Sequence, residues 1–323
     1  MTEFPWQPGS ATGIGSLPGT DIADAIATVF DELPDLPYLP ELPARGPGAD
    51  MIGRGAGLLV AMPVELYAGR WRIAAHPGLD ARRTRDLWRR DLDALTDFAD
   101  AYDGVLKIQV AGPWTLSASL DLPIGGLLLR DAGAARDLAA SLAEGVAAHV
   151  QDVRARVPRA TVLLQIDEPS LPAVLAGEVP TESGFSRLRA VETDLARGAL
   201  GSVIEAAGAP AIVHCCAPRP PLELMRQAGA VGVAVDLDQI KDLDPIGELL
   251  EAGVGLFAGV ESTSAPEVAA RIRDLWRTIG FSINDLPAQV VTTPACGLAG
   301  FGTAAARDAM KVAREAGRRL ADD

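Results

Sequence analysis

The segments "TVLLQID" (161–167) and "PAIVHC" (210–215) decide the fold. Each is a short apolar run rich in β-branched residues, and the long helical stretch "SRLRAVETDLARGALGSVIEAA" (186–207) lies between them. A strand, a helix and a second strand in this order are typical of a parallel βαβ unit. The pair therefore predicts two buried parallel strands joined by a crossover helix.

The same alternation continues in both directions along the chain. Further strands are predicted at 11–17, 37–42, 105–112, 231–237, 253–260 and 289–294. Helices are predicted at 21–33, 83–102, 131–157, 186–207, 220–229, 245–253, 265–280 and 302–323. Eight strands alternating with eight helices predict an α/β fold, a (β/α)8 TIM barrel, forming a single domain over 1–323. The segment 58–78 has two β-rich halves around an Ala-Gly pair, which predicts a β-hairpin inserted after the second strand.

The composition of the chain limits which partners the protein could bind and in which cellular compartment we expect it. The formal net charge of −14 argues against nucleic acid and against an anionic membrane surface as partners. No apolar run approaches the roughly 20 residues that span a bilayer, and the N-terminus lacks the pattern of a secretory signal. Three cysteines cannot form a disulfide framework. We therefore expect a cytoplasmic protein whose cysteines bind a metal or act in catalysis.

Candidate metal ligands follow three of the predicted strands. His214 and Cys216 end the fifth strand, and Cys296 follows the eighth. The carboxyl ends of barrel strands meet at one face, so these side chains are expected to converge there. Imidazole with thiolates is a ligand set that suits Zn²⁺. Asp236, at the end of the sixth strand, is the predicted carboxylate ligand, with Asp238 as the alternative.

The remaining cysteine and the chemistry of the site follow from strand alternation and from thiol acidity. Cys215 should point away from His214 and Cys216, into the core beneath the helices. A zinc ion with an open coordination position holds a substrate thiol as a thiolate at neutral pH. Two anionic cysteine ligands would keep that sulfur reactive. The site is therefore expected to favour alkyl transfer to sulfur over hydrolysis.

Seven motifs at the predicted strand ends resemble, in order, those of the catalytic C-terminal barrel of cobalamin-independent methionine synthase. They are "IGSLPGTD", "LPELP", "AGPWTL", "LQIDEPSL", "HCC", "VAVD" and "TPACGL". The resemblance implies zinc-dependent methyl transfer to the thiol of homocysteine, which forms methionine. It implies zinc ligands at His214, Cys216, Asp236 and Cys296, where the aspartate stands in place of the family's glutamate.

The resemblance also implies how the amino-acid part of homocysteine binds. Ile14, Gly15 and Ser16 match the segment that receives the substrate carboxylate, largely through backbone N–H groups. Glu41 and Asp167 match the carboxylates that hold the α-ammonium group. The charges suit a zwitterion, which needs hydrogen-bond donors at one end and anions at the other.

Two departures from the family pattern concern the methyl donor. Ser119 stands where the family has a tryptophan that stacks on folate, and "ESTSA" (261–265) replaces a segment that carries an acid-base histidine. The chain therefore resembles the short, single-barrel members of the family. For these a methylcorrinoid protein is the expected donor, and 5-methyltetrahydrofolate is the other candidate.

Three other functions remain open at this point. The acceptor could be another thiol, such as coenzyme M, although Glu41 and Asp167 favour an acceptor with an α-amine. A metal-free decarboxylase of the related barrel type would use arginines, of which Arg45, Arg54, Arg70 and Arg72 are candidates. A zinc- or corrinoid-binding accessory protein without activity is the non-enzymatic alternative.

Overall fold

The computed structural model describes residues 4–322, so residues 1–3 and 323 of the predicted domain lie outside the described part. The strands are β1 (Val64–Tyr67), β2 (Arg70–Ile73), β3 (Val105–Ala111), β4 (Thr161–Asp167), β5 (Ala211–Cys215), β6 (Gly232–Asp236), β7 (Gly255–Gly259) and β8 (Val290–Thr293). The helices are α1 (Ile22–Glu32), α2 (Met51–Ala56), α3 (Leu79–Ala99), α4 (Pro113–Ser117), α5 (Ala132–Arg156), α6 (Leu171–Ala176), α7 (Thr193–Ala207), α8 (Leu222–Gln227), α9 (Asp244–Glu251), α10 (Ala265–Ile279), α11 (Leu286–Gln289) and α12 (Thr303–Asp322). No helix among the described residues combines the length and the apolar character needed to cross a membrane.

Strands β3 to β8 form one parallel sheet in chain order, and helices separate each strand from the next. The sheet curls around an inner apolar cluster, while a larger cluster fills the space between the sheet and the helices. The inner cluster comprises Trp6, Leu36, Val105, Leu163, Ile212, Ala234, Phe257 and Val291. This arrangement is an α/β fold of the TIM-barrel-like type, and it confirms the predicted parallel α/β class.

The prediction of eight regular strands was wrong for the first two, because 11–17 and 37–42 are extended segments rather than strands. They make three isolated parallel bridges: Ala11–Thr292, Ser16–Glu41 and Tyr38–Lys107. These bridges join the two segments to each other and to the edge strands β8 and β3. Pro37 and Pro40 have no N–H to donate to a ladder, which limits the second segment to single bridges.

The predicted hairpin is confirmed. Strands β1 and β2 pair antiparallel, with Tyr67 opposite Arg70. Ala68 and Gly69 form the two-residue turn with φ of 49° and 79°. Positive φ at both turn positions is the conformation that matches the twist of a tight hairpin. Gly69 adopts it without steric cost.

The eight predicted helices are present. Their bounds differ most before the fifth strand, where α7 begins at Thr193 rather than at 186. The residues ahead of it belong to a loop in which Pro180 and Arg187 form an antiparallel bridge. Each crossover helix packs its apolar face on the outside of the sheet, so the carboxyl ends of the strands and the loops that follow them define one face. The candidate residues lie at this face.

Candidate metal and substrate site

Two cysteines from distant parts of the chain meet at the carboxyl end of the sheet. Cys216 follows β5 and Cys296 follows β8, and their Sγ atoms share a hydrogen bond across 3.5 Å. This hydrogen bond lowers the pKa of Cys296 to about 6 and raises the pKa of Cys216. Cys215 is buried in the outer cluster, as strand alternation requires, and burial raises its pKa to about 12. Cys296 is therefore the readier thiolate of the three.

The imidazole of His214 has one occupied and one unoccupied nitrogen. In the register of β4 and β5 His214 lies opposite Asp167, and its Nδ1 is 2.8 Å from Oδ1 of that carboxylate. Its Nε2 is buried, and no described residue is a hydrogen-bond partner for it. An unpartnered buried nitrogen is costly unless something binds it. When the ring is protonated, its charge lowers the pKa of the Cys296 thiol.

These donors fit zinc in kind. Two thiolates on a tetrahedral zinc, each about 2.3 Å from the metal, lie roughly 3.8 Å apart, and the observed Sγ–Sγ distance is 3.5 Å. Metal-bound histidines commonly donate their other N–H to a carboxylate, as His214 is placed to do with Asp167. Within residues 4–322, however, no group of three or more His, Cys, Asp or Glu residues is already arranged to hold a metal ion. A zinc site on these residues therefore stays a prediction.

The carboxylates proposed as the remaining ligand have other partners. Asp236 ends β6 one residue beyond the Cys215–Val235 pair, the last pair of the register between β5 and β6. Its Oδ1 accepts a hydrogen bond of 2.9 Å from the backbone N–H of Asp238. Asp238 itself forms an ion pair with Arg271 of α10. The ligand role of either aspartate stays a prediction.

All three carbonyl groups of the segment Ile14–Ser16 accept hydrogen bonds. The Ile14 carbonyl accepts hydrogen bonds from the side chains of Lys107 and Gln165, the Gly15 carbonyl from Glu41 N and the Ser16 carbonyl from Leu298 N. No described residue accepts a hydrogen bond from the backbone N–H groups of these three residues. A Cβ on Gly297 would lie 2.3 Å from the Ser16 Oγ, so the segment is in contact with the residue after Cys296. Successive backbone N–H groups without a partner can bind an anion, and the predicted role of this segment in binding a carboxylate stays a prediction.

The two predicted ammonium-binding carboxylates lie below this segment. Glu41 is buried, and burial raises its pKa to about 7, opposed by the charge of Arg54. The Arg54 Nε lies 3.5 Å from Glu41 Oε1. Asp167 is also buried and accepts from Gln165 Nε2 at 2.7 Å as well as contacting His214. Both carboxylates thus already have protein partners, and their substrate roles stay predictions.

The four arginines on which the decarboxylase hypothesis depends are all paired with acidic residues. The carboxylate of Asp91 is fully buried. It accepts two hydrogen bonds from the Arg45 guanidinium, at 2.6 and 2.8 Å, and one from Arg54 at 2.5 Å. The other pairs are Arg70–Asp121 and Arg72–Glu65. Arginines neutralised in this way do not form a carboxylate-binding cluster. The arrangement gives no support to the decarboxylase hypothesis.

Three polar residues that sequence reasoning left unassigned are buried around the site. Glu168 accepts from the backbone N–H groups of Trp114 and Thr115 and from the Thr115 hydroxyl, so it fixes the turn into α4. Lys107 and Gln165 lie on the inner faces of β3 and β4. Their alternation with apolar residues in "VLKIQVA" and "TVLLQID" is the signal that could have identified them as inward-facing polar groups.

A cavity of about 700 Å³ opens beside Cys296, a volume within the usual range for small-molecule sites. Its walls are mainly apolar and include Val260, Leu298, Phe301 and Val312, and the segment 261–263 contributes to its rim. Ser119 lies elsewhere, in a smaller groove beside the hairpin that also includes Trp71. Trp114 is buried and its indole N–H donates to the Ala196 carbonyl, so it serves as a core residue.

Comparison with known proteins yields a likeness of fold. No family model and no curated protein matches the chain. A psychrophilic glycoside hydrolase family 10 endo-β-1,4-xylanase aligns over 90% of this chain and 86% of its own, with a TM-score of 0.41 and 12% identity. A B12-independent methionine synthase from Shewanella sp. W3-18-1, solved in complex with selenomethionine, aligns over 98% of both chains with a TM-score of 0.64 and 11% identity. At that identity the likeness establishes the fold: this chain has the TIM-barrel-like fold of that methionine synthase.

Proposed function

We propose that the protein is a zinc-dependent methyltransferase that forms methionine from homocysteine. The observation that carries the proposal is the contact between Cys216 and Cys296 at the carboxyl end of the sheet. The unpartnered Nε2 of His214, two residues before Cys216, and the unpaired N–H groups of Ile14–Ser16, next to Gly297, support it. The first set suits a thiolate-stabilising metal. The second suits the carboxylate of an amino acid. Homocysteine presents a thiol and a carboxylate on one small molecule.

The ligand residues define the chemistry of the metal. His214, Cys216 and Cys296 would hold zinc, with Asp236 as the proposed fourth protein ligand. When bound there, zinc would keep the substrate thiol deprotonated at neutral pH and so supply a sulfur nucleophile. Asp167 keeps the imidazole oriented through Nδ1. The sulfur of the substrate then displaces the donor from its methyl carbon, so that a carbon–sulfur bond forms as the bond between methyl group and donor breaks.

The rest of the substrate is bound by the chain itself. The N–H groups of Ile14, Gly15 and Ser16 would bind the carboxylate, and Glu41 and Asp167 the ammonium group. Both of these acids are buried, so an ammonium group between them would replace water with two anionic acceptors. An acceptor without an amine, such as coenzyme M, would leave them without their ligand. This favours homocysteine as the acceptor.

We place the methyl donor in the cavity beside Cys296. Its apolar walls would exclude water from the nucleophile, and its volume admits part of a large donor. We propose a methylcorrinoid, free or carried by a protein, as the donor, with 5-methyltetrahydrofolate as the alternative. Ser119 offers no aromatic surface for a folate, and 261–265 brings no histidine to the cavity rim.

The test is methionine formation by the zinc-loaded protein from homocysteine and methylcobalamin, with methyltetrahydrofolate and coenzyme M in parallel reactions. Methionine from methylcobalamin is the expected result. Turnover on methyltetrahydrofolate alone would overturn the donor assignment, and methylation of coenzyme M in preference to homocysteine would overturn the acceptor. The Cys215→Ser protein serves as the active control and the Cys216→Ser protein as the inactive one.

A further inference from the structure

A buried hydrogen-bonded chain runs through the inner face of the sheet toward His214. Lys107 on β3 is completely buried. Its Nζ donates to the Ile14 carbonyl at 3.0 Å and to Gln165 Oε1 at 2.8 Å. An amino group buried at this cost must be retained for a reason, because a hydrophobic residue would fill the same volume more favourably. Its two partners indicate what that reason is.

The orientation of the Gln165 amide is determined by its neighbours. One of its terminal atoms lies 2.8 Å from the Ile14 carbonyl and 2.7 Å from Asp167 Oδ1. The carbonyl can only accept, so the atom facing it must be the NH₂ group. The Oε1 atom then faces Lys107, which supplies the matching donor. Lysine and the carbonyl thus fix the amide from opposite sides.

The orientation of the Gln165 amide affects His214 through Asp167, which contacts both side chains. Oδ1 of Asp167 accepts from Gln165 and lies 2.8 Å from His214 Nδ1. Because the NH₂ group of Gln165 donates to this oxygen, Oδ1 acts as an acceptor, and Nδ1 must carry the hydrogen of the imidazole. The lone pair is therefore on Nε2, which is the buried atom without a described partner. Neutral imidazole binds a metal only through such a lone pair.

We infer that Lys107 and Gln165 are positioning residues that hold His214 in its Nδ1–H tautomer and tie this tautomer to the Ile14–Ser16 segment through the shared Ile14 carbonyl. The inference rests on the proposed zinc site for its purpose. The tautomer itself is a property of the metal-free protein. One pair of side chains would thus prepare both the metal ligand and the loop that receives the substrate carboxylate.

The experiment is a long-range ¹H–¹⁵N correlation spectrum of the metal-free protein labelled at histidine, recorded at mildly alkaline pH. The chain has three histidines, and His214→Asn assigns the signal in question. Wild-type protein should show a single Nδ1–H tautomer for His214. Gln165→Met and Lys107→Met should show both tautomers, because Asp167 Oδ1 is then no longer held as an acceptor toward Nδ1. Tyr38→Phe should not: it removes a hydroxyl that hydrogen-bonds Met310 Sδ and keeps the ring beside Lys107.

Zinc affinity, measured by competition with a chromophoric chelator, gives the second readout. Gln165→Met should weaken zinc binding by about 10–100-fold, the usual effect of losing a partner of a metal ligand. Gln165→Glu preserves the side-chain volume but replaces the donor, so it separates hydrogen bonding from packing. An Nε2–H tautomer in wild-type protein would overturn the inference, as would unchanged tautomer and zinc affinity in both Gln165 variants. Methionine formation enters neither readout, so a wrong proposed function would leave the tautomer result standing.

Discussion

The Nδ1 atom of His214 lies 2.8 Å from Oδ1 of Asp167, and both side chains are buried. This contact gives Asp167 a second role beside the ammonium-binding one that the sequence implies. It orients the ring whose other nitrogen is available for a metal. A carboxylate that orients a histidine ligand usually affects metal affinity as well as catalysis, so substitutions here should change two measurable quantities together.

The three cysteines provide a matched set of variants for the metal site. Cys216→Ser and Cys296→Ser should each lose stoichiometric zinc and methyl transfer, because each removes one soft ligand. Cys215→Ser should retain both, since that side chain packs beneath the helices. Metal content after dialysis and far-ultraviolet circular dichroism check the outcome. Full zinc occupancy in either of the first two proteins would refute the ligand assignment.

Asp167→Asn should affect both substrate and metal. Loss of the negative charge should raise the KM for homocysteine, because the ammonium group loses an anionic partner. Zinc affinity should fall by about 10–100-fold, because His214 loses its charged acceptor. Steady-state kinetics at saturating zinc separates the two effects. A KM unchanged under that condition would remove Asp167 from the substrate site and leave it as a support for His214.

Much of the fold could be predicted from local pattern. The six strands β3 to β8 are short apolar runs bounded by helical stretches, and such runs are recognisable without tertiary information. The segments 11–17 and 37–42 have the apolar character of strands but form only isolated bridges, and in the second of them Pro37 and Pro40 limit ladder pairing. The helix before β5 was predicted too long because Ser186–Glu192 has helical composition but belongs to a loop.

Part of the candidate site could also be predicted from the positions of the strands. His214, Cys216 and Cys296 could be grouped because strand ends converge at one face of the sheet. The Asp167–His214 contact depends on the register of β4 against β5, which crossover length does not specify. The link from Lys107 through Gln165 depends in addition on which side chains face inward at the same level. Pairwise contacts of this kind arise from tertiary packing, and the local sequence contains no sign of them.

The contact between Gly297 and Ser16 offers a test of the carboxylate site. Gly297→Ala would place a Cβ 2.3 Å from Ser16 Oγ, so one of the two must move. We expect a higher KM for homocysteine, because the displaced segment carries the N–H groups proposed to bind the carboxylate. The double variant Gly297→Ala with Ser16→Ala removes the clashing oxygen and should recover most of the loss. Additive losses in the double variant would contradict this explanation.

Lys107 should make the stability of the protein depend on pH above neutrality. Burial lowers its pKa to about 7, with the charges of Asp167 and Glu41 opposing the shift, whereas its ordinary value is 10.5. Between these two values the unfolded chain binds a proton that the native state has released. The free energy of unfolding should therefore rise with pH in this window, by up to about 1.4 kcal/mol per unit. Below pH 7 both states bind the proton, so the slope due to Lys107 disappears there and the stability gained in the window is lost.

Lys107→Met removes this contribution, so its free energy of unfolding should rise less steeply between pH 7 and 10.5 than that of wild-type protein. Urea unfolding at several pH values within the window measures the difference, and other titrating groups cancel in the comparison. Tyr38→Phe is the control for a change in the same part of the core, since it leaves the lysine and its hydrogen bonds in place. Equal slopes for wild-type and Lys107→Met would mean that Lys107 stays protonated in the native state throughout the window, held by Asp167 and Glu41 more strongly than burial disfavours its charge.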